Sequence, residues 1–208
     1  MAGKIVTVAQ QKGGAGKTTL VAHLAVAWAE EGRRVALVDI DPQGSLSQWF
    51  AEREKGGAPG LTHSRITGWR TQVEVERLAR DHDMVVLDSP PHAETESRIA
   101  VRAASLLVVP VQPSPMDLWA TRPTLDLAKA ERVPAILVLN RVPPRAKLTE
   151  ELAAKIGELG VPVARTQIGN RTAYPASMLA GRTVQETARR TRAAEEVAEL
   201  AAELAGQL

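Results

Sequence analysis

Eight consecutive residues, Lys12-Gly13-Gly14-Ala15-Gly16-Lys17-Thr18-Thr19, put glycines, two lysines and two hydroxyls in an order suited to holding a polyphosphate. Glycines let successive backbone N–H groups turn into one concavity, and Lys17 supplies a full positive charge for the β- and γ-phosphates. The N-terminus of a following helix adds a partial charge of the same sign. Thr18 is expected to place its hydroxyl on Mg²⁺, and Thr19 to sit beside the α-phosphate. The general phosphate-loop pattern asks for glycine six residues before the lysine, but that position is Gln11, and the next is Lys12. A glycine-rich turn without a ligand is the competing reading. The Gly-Lys-Thr ending, set between a strand-like and a helix-like stretch, argues against it.

Three aspartates follow apolar runs: Asp39 and Asp41 in Val38-Asp39-Ile40-Asp41-Pro42-Gln43, and Asp88 in Val85-Val86-Leu87-Asp88-Ser89-Pro90-Pro91. Carboxylates at the C-terminal ends of parallel strands converge on the crevice where open α/β sheets bind ligands. Asp88 is read as the acid that holds Mg²⁺ through a water, Asp39 as its neighbour in the metal surroundings, and Asp41 as the group that orients an attacking water. Magnesium keeps several waters and needs one or two carboxylates, so this set suits it better than calcium. Taken singly, each aspartate could merely cap a turn.

The elements that must position these groups are legible as short apolar runs. Ile5 to Ala9, Val35 to Val38, Met84 to Leu87, Leu106 to Val109 and Ala135 to Leu139 read as buried strands separated by segments long enough for crossover helices. Leu20, Leu24 and Trp28 fall four apart, placing them on one face of a helix from Lys17 to about Gly32. Residues 54–60 read as a loop and 61–67 as an added edge strand. Thr183 to Gln207 has the alanine, glutamate and leucine content of one long helix. The class is α/β: a three-layer P-loop NTPase fold, with a mostly parallel twisted sheet flanked by helices. Residues 1–208 are read as a single domain.

Composition narrows the chemistry further. The absence of cysteine removes disulfides, thiolate metal sites, iron–sulfur clusters and cysteine nucleophiles. No signal-peptide pattern or long apolar run is evident, so a cytoplasmic location is expected. The formal net charge is only +2, so any nucleic-acid contact must come from local clustering. His23, His63, His82 and His92 lack metal-ligand spacing and are read as packing or surface residues.

With these residues in hand, the sequence resembles the small ParA-type partition ATPases, within the wider group that includes MinD. The resemblance covers residues 4 to about 190. It rests on the loop from Gln11 to Thr19, Asp39-Ile40-Asp41-Pro42-Gln43-Gly44, the Asp88 strand, the segment from Pro110 to Asp117, and Asn140-Arg141. The resemblance implies an ATPase using ATP and Mg²⁺, with slow intrinsic turnover. It implies a homodimer in the ATP state, in which Lys12 reaches the partner's phosphates while Asn140, beside Arg141, reads adenine. The Pro113-to-Asp117 turn would lie near the dimer interface. It further implies a ParB-like or other adaptor that stimulates hydrolysis, nonspecific DNA as the track, and association with the nucleoid.

Local charge supplies a candidate DNA surface. Arg182, Arg189, Arg190 and Arg192 lie between Gly181 and Ala193, where Glu186 is the only acid, and Arg165 and Arg171 could extend the patch. A solvated helix face is the bland alternative. Two other functions share the fold. A MinD-like membrane-cycling ATPase would need a basic amphipathic C-terminal helix, yet residues 195–208 contain neither lysine nor arginine. A small-molecule ligase or kinase would need a substrate pocket that no motif identifies.

Overall fold

The structure is a computed structural model that describes residues 2–58, 60–68, 70–91, 94–144, 155–157 and 159–208. Six strands form one sheet: β1 (Lys4–Val8), β2 (Val35–Asp39), β3 (Leu61–Arg65), β4 (Met84–Asp88), β5 (Leu106–Val111) and β6 (Ala135–Leu139). Their order is β3-β2-β4-β1-β5-β6, and every pairing between these strands is parallel. The helices are α1 (Lys17–Glu30), α2 (Ser45–Lys55), α3 (Arg70–Asp81), α4 (Glu94–Ala103), α5 (Pro115–Glu131), α6 (Ala173–Met178), α7 (Val184–Thr187) and α8 (Arg192–Ala205).

The side-chain alternation of the strands explains the layers. Val35 and Leu37, Met84 and Val86, Leu106 and Val108, and Ile136 and Val138 all enter one core with α1, α2 and α8. Their neighbours Ala36, Val38, Val85 and Leu87 point the other way onto α3 and α4. Leu107, Val109, Val111, Leu137 and Leu139 likewise pack on α5. A strand buried on both faces has no polar side to show, so it reads in sequence as a continuous apolar run. The expected edge strand joins β2 from Leu61 to Arg65, two residues shorter than read.

Strand β1 lies between β4 and β5, so the chain departs in opposite directions from β1 and β4 and a crevice opens above their C-terminal ends. Register places Val8 opposite Asp88, and Asp88 opposite Asp39, so both acids emerge at one level.

The C-terminal segment departs from the single long helix expected over 183–207. Thr183 opens α7 with a reciprocal capping box to Glu186, Ala188 leaves helical geometry, and Thr191 starts α8 anew. The ion pair of buried Arg53 with Glu186 fixes the short helix against α2, so tertiary contact overrides an otherwise helical composition.

Candidate functional site: a phosphate loop with two flanking hollows

The backbone after β1 turns through Gly14 (φ 77°) and Gly16 (φ 87°), left-handed positions that residues with a Cβ rarely adopt. Gly16 has a second constraint, since a Cβ there would lie 2.6 Å from Asn140 Nδ2. Lys17 opens α1, and its ammonium donates to the Gln10 carbonyl at 3.0 Å across the loop. Burial lowers the Lys17 pKa, and the negative charges of Asp88 and Asp41 partly restore it.

Braces from several elements hold the loop. Asn140 Nδ2 donates to the Ala15 carbonyl at 2.8 Å while its Oδ1 accepts from Arg141 N–H at 3.0 Å. Gln112 Nε2 donates to the Gly14 carbonyl at 2.9 Å. Gln10, which the sequence motif leaves out, donates through Nε2 to Thr121 Oγ1 at 3.0 Å, tying the loop to α5. Lys12, the extra lysine, points at α5 too: its Nζ pairs with Asp117 Oδ2, which also accepts from Ser114 Oγ.

The acids divide their work. Thr18 Oγ1 donates to Asp88 Oδ2 at 2.6 Å, and Asp88 Oδ1 is buried without a partner. Burial pushes the Asp88 carboxyl up to about 7, with the Thr18 bond pulling the other way. An orphaned carboxylate oxygen beside a threonine hydroxyl, at the mouth of a phosphate loop, fits a hydrated magnesium ion. Thr18 and Asp88 are the residues that would hold it. Asp39 lies opposite Asp88 on the adjacent strand, and its charge acts on that carboxyl. Its Oδ1 accepts from Asp41 N–H at 3.1 Å and its Oδ2 from Ser47 N–H and Oγ, so its observed work is to hold Asp41 and the first turn of α2. Asp41 accepts from Gln43 N–H at 2.9 Å and faces the crevice.

Two hollows meet at the loop. The first, about 580 Å³, is walled by Gly13, Lys17, Thr18 and Asp41, and runs on toward Trp49 and Met178. The second, about 260 Å³, has Leu20, Ile168 and Val197 as an apolar lining and Asn140, Asn170 and Arg171 as polar groups. They share Gly16, Thr19, Arg141 and Pro175, so the two hollows adjoin at the loop. Arg141 stands between them with φ 55°, a left-handed conformation unusual for a bulky residue and a form of local strain found at functional sites.

The arginines proposed for DNA do not form one free basic face. Arg182 bonds to Glu186 and the Gly56 carbonyl, Arg189 to Glu30, and Arg192 to Glu195 and Glu199. Among the described residues only Arg190 of the four is exposed with no such partner. Arg165 pairs with Glu203 and Arg171 with Glu196, and Arg171, although exposed, also lines the second hollow. His23, His63 and His82 each bond to neighbouring groups of the fold, and His92 lies outside the described residues. No helix of the described residues is long and apolar enough to cross a membrane.

The fold, the glycine loop and the strand-end acids define a phosphate-loop nucleotide-binding protein. Residues 6–184 match the CobQ/CobB/MinD/ParA nucleotide binding domain, so the chain belongs to that family, and within it is a ParA-type ATPase. Among its relatives is the maintenance of carboxysome distribution protein A of Halothiobacillus neapolitanus, 34% identical, covering 91% of this chain and 90% of that protein. The protein of the same name in Gloeobacter kilaueensis is 37% identical over 86% of this chain and 82% of its own length. Protein ParA of Rhizobium radiobacter is 28% identical over 83% of this chain and 81% of its own. The same fold occurs in an ATP complex of a Cyanothece McdA variant, with TM-score 0.82, 17% identity and coverage of 99% of this chain and 97% of that one. It occurs also in the Pyrococcus furiosus cell division ATPase MinD, with TM-score 0.82, 19% identity and coverage of 99% and 100%.

Proposed function

We propose that the protein is an Mg²⁺-dependent ATPase that positions a large cargo, cycling between a monomer and an ATP-bound homodimer that binds nonspecific DNA. The observation that carries this reading is the convergence of Lys17, Thr18 and Asp41 on one crevice, with Asp88 bonded to Thr18 and a second lysine, Lys12, next to Gly13 of its wall. Phosphoryl transfer to water is a matter of positioning and charge neutralisation. In this reading Lys17 and the loop N–H groups take the phosphate charge, and Asp41 orients the water. When bound, magnesium would offset charge on the terminal phosphates. Lys12 faces its own Asp117, so it must leave that carboxylate to reach a partner's nucleotide. Among the described residues no arginine enters the phosphate crevice except Arg141 at its edge, which favours slow turnover until an adaptor binds.

The second hollow supports a purine subsite beside the phosphates. Asn140 braces Ala15 through one amide hydrogen and keeps the other for a ligand, so it can serve both loop and base. For cargo, the two carboxysome-distribution relatives favour a protein assembly over a plasmid. The reading is tested by binding of the purified chain to nonspecific duplex DNA and to anionic vesicles, each with ATP, ADP or no nucleotide. DNA binding that requires ATP and fades with salt supports it. Binding to vesicles alone would favour the MinD-like cycle, and binding to neither would redirect the search to a small-molecule substrate.

A further inference from the structure

The outer wall of the second hollow is the segment from Ile168 to Thr172, which belongs to no helix or strand. It is anchored to the end of the sheet by Ile168 N–H to the Leu139 carbonyl, at 2.9 Å, and by Asn170 N–H to the Val142 carbonyl, at 2.8 Å. Its other anchor is one carboxylate. Glu196 on α8 is 4% exposed and accepts from Gly169 N–H at 3.1 Å, Arg171 Nε at 3.1 Å, Arg171 Nη2 at 2.5 Å and Tyr174 Oη at 2.9 Å. Burial alone would raise its pKa, but the Arg171, Gly169 and Tyr174 bonds outweigh burial and keep it ionised. Two turns further along the same helix, Glu203 accepts from Arg165 and Thr166 N–H at 2.7 and 3.0 Å, gripping the approach to the segment.

This arrangement exceeds what an ordinary helix contact requires. A buried carboxylate with four donors is costly to form and rigid once satisfied, and Arg192 of its own helix, 3.6 Å away, adds a second positive charge. All four donors come from the wall or the first turn of α6 directly behind it. Val197, the next residue of α8, lines the same hollow. The helix therefore supplies part of the lining and the fixture that sets the wall's distance from it.

We propose that Glu196 is a positioning residue for the purine subsite: by fixing Gly169, Arg171 and Tyr174 it sets the width and donor orientation of the hollow, and through them affinity for the base. The inference rests on reading the second hollow as the base subsite. Glu196 does not approach the phosphate crevice, so its effect should be confined to ligands that carry a base.

The test compares wild type, Glu196→Gln and Arg171→Ala for binding of Mg²⁺–ATP, Mg²⁺–GTP and inorganic tripolyphosphate with Mg²⁺, alongside kcat and KM for ATP. In Glu196→Gln, ATP binding is expected to weaken about tenfold, as loss of a charged hydrogen-bond acceptor implies. The KM should rise, with kcat unchanged within about twofold, tripolyphosphate affinity unchanged, and the preference between ATP and GTP narrowed. Arg171→Ala should reproduce the base-dependent loss, and the two substitutions combined should cost less than their sum. Equal losses for ATP and tripolyphosphate in both variants, or unchanged ATP affinity, would overturn the proposal. If wild type binds tripolyphosphate as tightly as ATP, there is no base subsite, and the underlying reading falls with it.

Discussion

Lys12 and Asp117 form an ion pair at the rim of the phosphate loop, with the lysine side chain 36% exposed and the aspartate 2%. Asp117 Oδ2 also accepts from Ser114 Oγ, and Oδ1 has no partner at all. The carboxylate sits in the first turn of α5, where the helix N-terminus favours negative charge, so it survives departure of the lysine. Lys12 is thus held by a contact that it can give up.

Neutralising Asp117 should make that departure easier. Asp117→Asn is expected to strengthen ATP-dependent self-association several-fold, on the order of 1 kcal/mol, and Lys12→Ala to abolish it while leaving ATP binding intact. Sedimentation velocity with ATP and with ADP measures both. Association that weakens in Asp117→Asn would remove the pair from the dimerisation step.

Lys17 and Asp41 should separate binding from hydrolysis. Lys17→Ala loses the only full cation within the loop that faces the phosphates, and nucleotide affinity should fall roughly 100-fold. Asp41→Ala should keep ATP and accumulate the dimer while hydrolysis falls roughly 100-fold. Calorimetric titration and phosphate release resolve the two effects. Normal turnover in Asp41→Ala would show that another group orients the water.

His23 supplies a pH prediction. It lies buried between the Thr19 carbonyl, at 2.7 Å from Nδ1, and Ser177 Oγ, at 3.4 Å from Nε2, and burial lowers its pKa to about 4. Between that value and its ordinary 6.5, the unfolded chain binds a proton that the folded chain refuses. Stability therefore falls as pH drops from 6.5 toward 4, by an amount on the order of 3 kcal/mol, and this group adds no slope above 6.5. Urea unfolding at several pH values should show a shallower slope for His23→Gln in that window. Parallel slopes would mean that carboxylates alone govern the acid limb.

The arginines between Gly181 and Ala193 should no longer behave alike toward DNA. Arg190→Glu is expected to weaken binding to nonspecific duplex and reduce its salt dependence by about one counterion. Arg182→Glu should chiefly lower stability, because Arg182 is tied to Gly56 and Glu186. Fluorescence anisotropy at two salt concentrations, with thermal unfolding as control, distinguishes them. Unchanged DNA affinity in Arg190→Glu would place the surface elsewhere.

What could be read in advance followed sequence distance. The loop from Lys12 to Thr19 is contiguous, and strands β2, β4, β5 and β6 are apolar on both faces, so local pattern sufficed. Gln10 lies between the first apolar run and the loop motif and belongs to neither, and only the packing of α5 reveals its bond to Thr121. In sequence nothing sets Glu196 apart from Glu195, Glu199 and Glu203, because the donors it meets lie 22 to 27 positions earlier. The break between α7 and α8 carries no glycine or proline. Its signals were the capping box from Thr183 to Glu186 and the second cap at Thr191, both weaker than the alanine-rich composition around them.

Helix α1 buries ten of its fourteen residues and thus has no side suited to water. Trp28, at its far end, finds an acceptor for its indole N–H only at the Ala201 carbonyl, 173 positions later. During synthesis, then, the helix that presents Lys17 waits with an uncovered apolar side until α8 has left the ribosome. Competence to hold nucleotide therefore follows the synthesis of α8, and a nascent chain caught before that point is a client for chaperones that shield apolar surface.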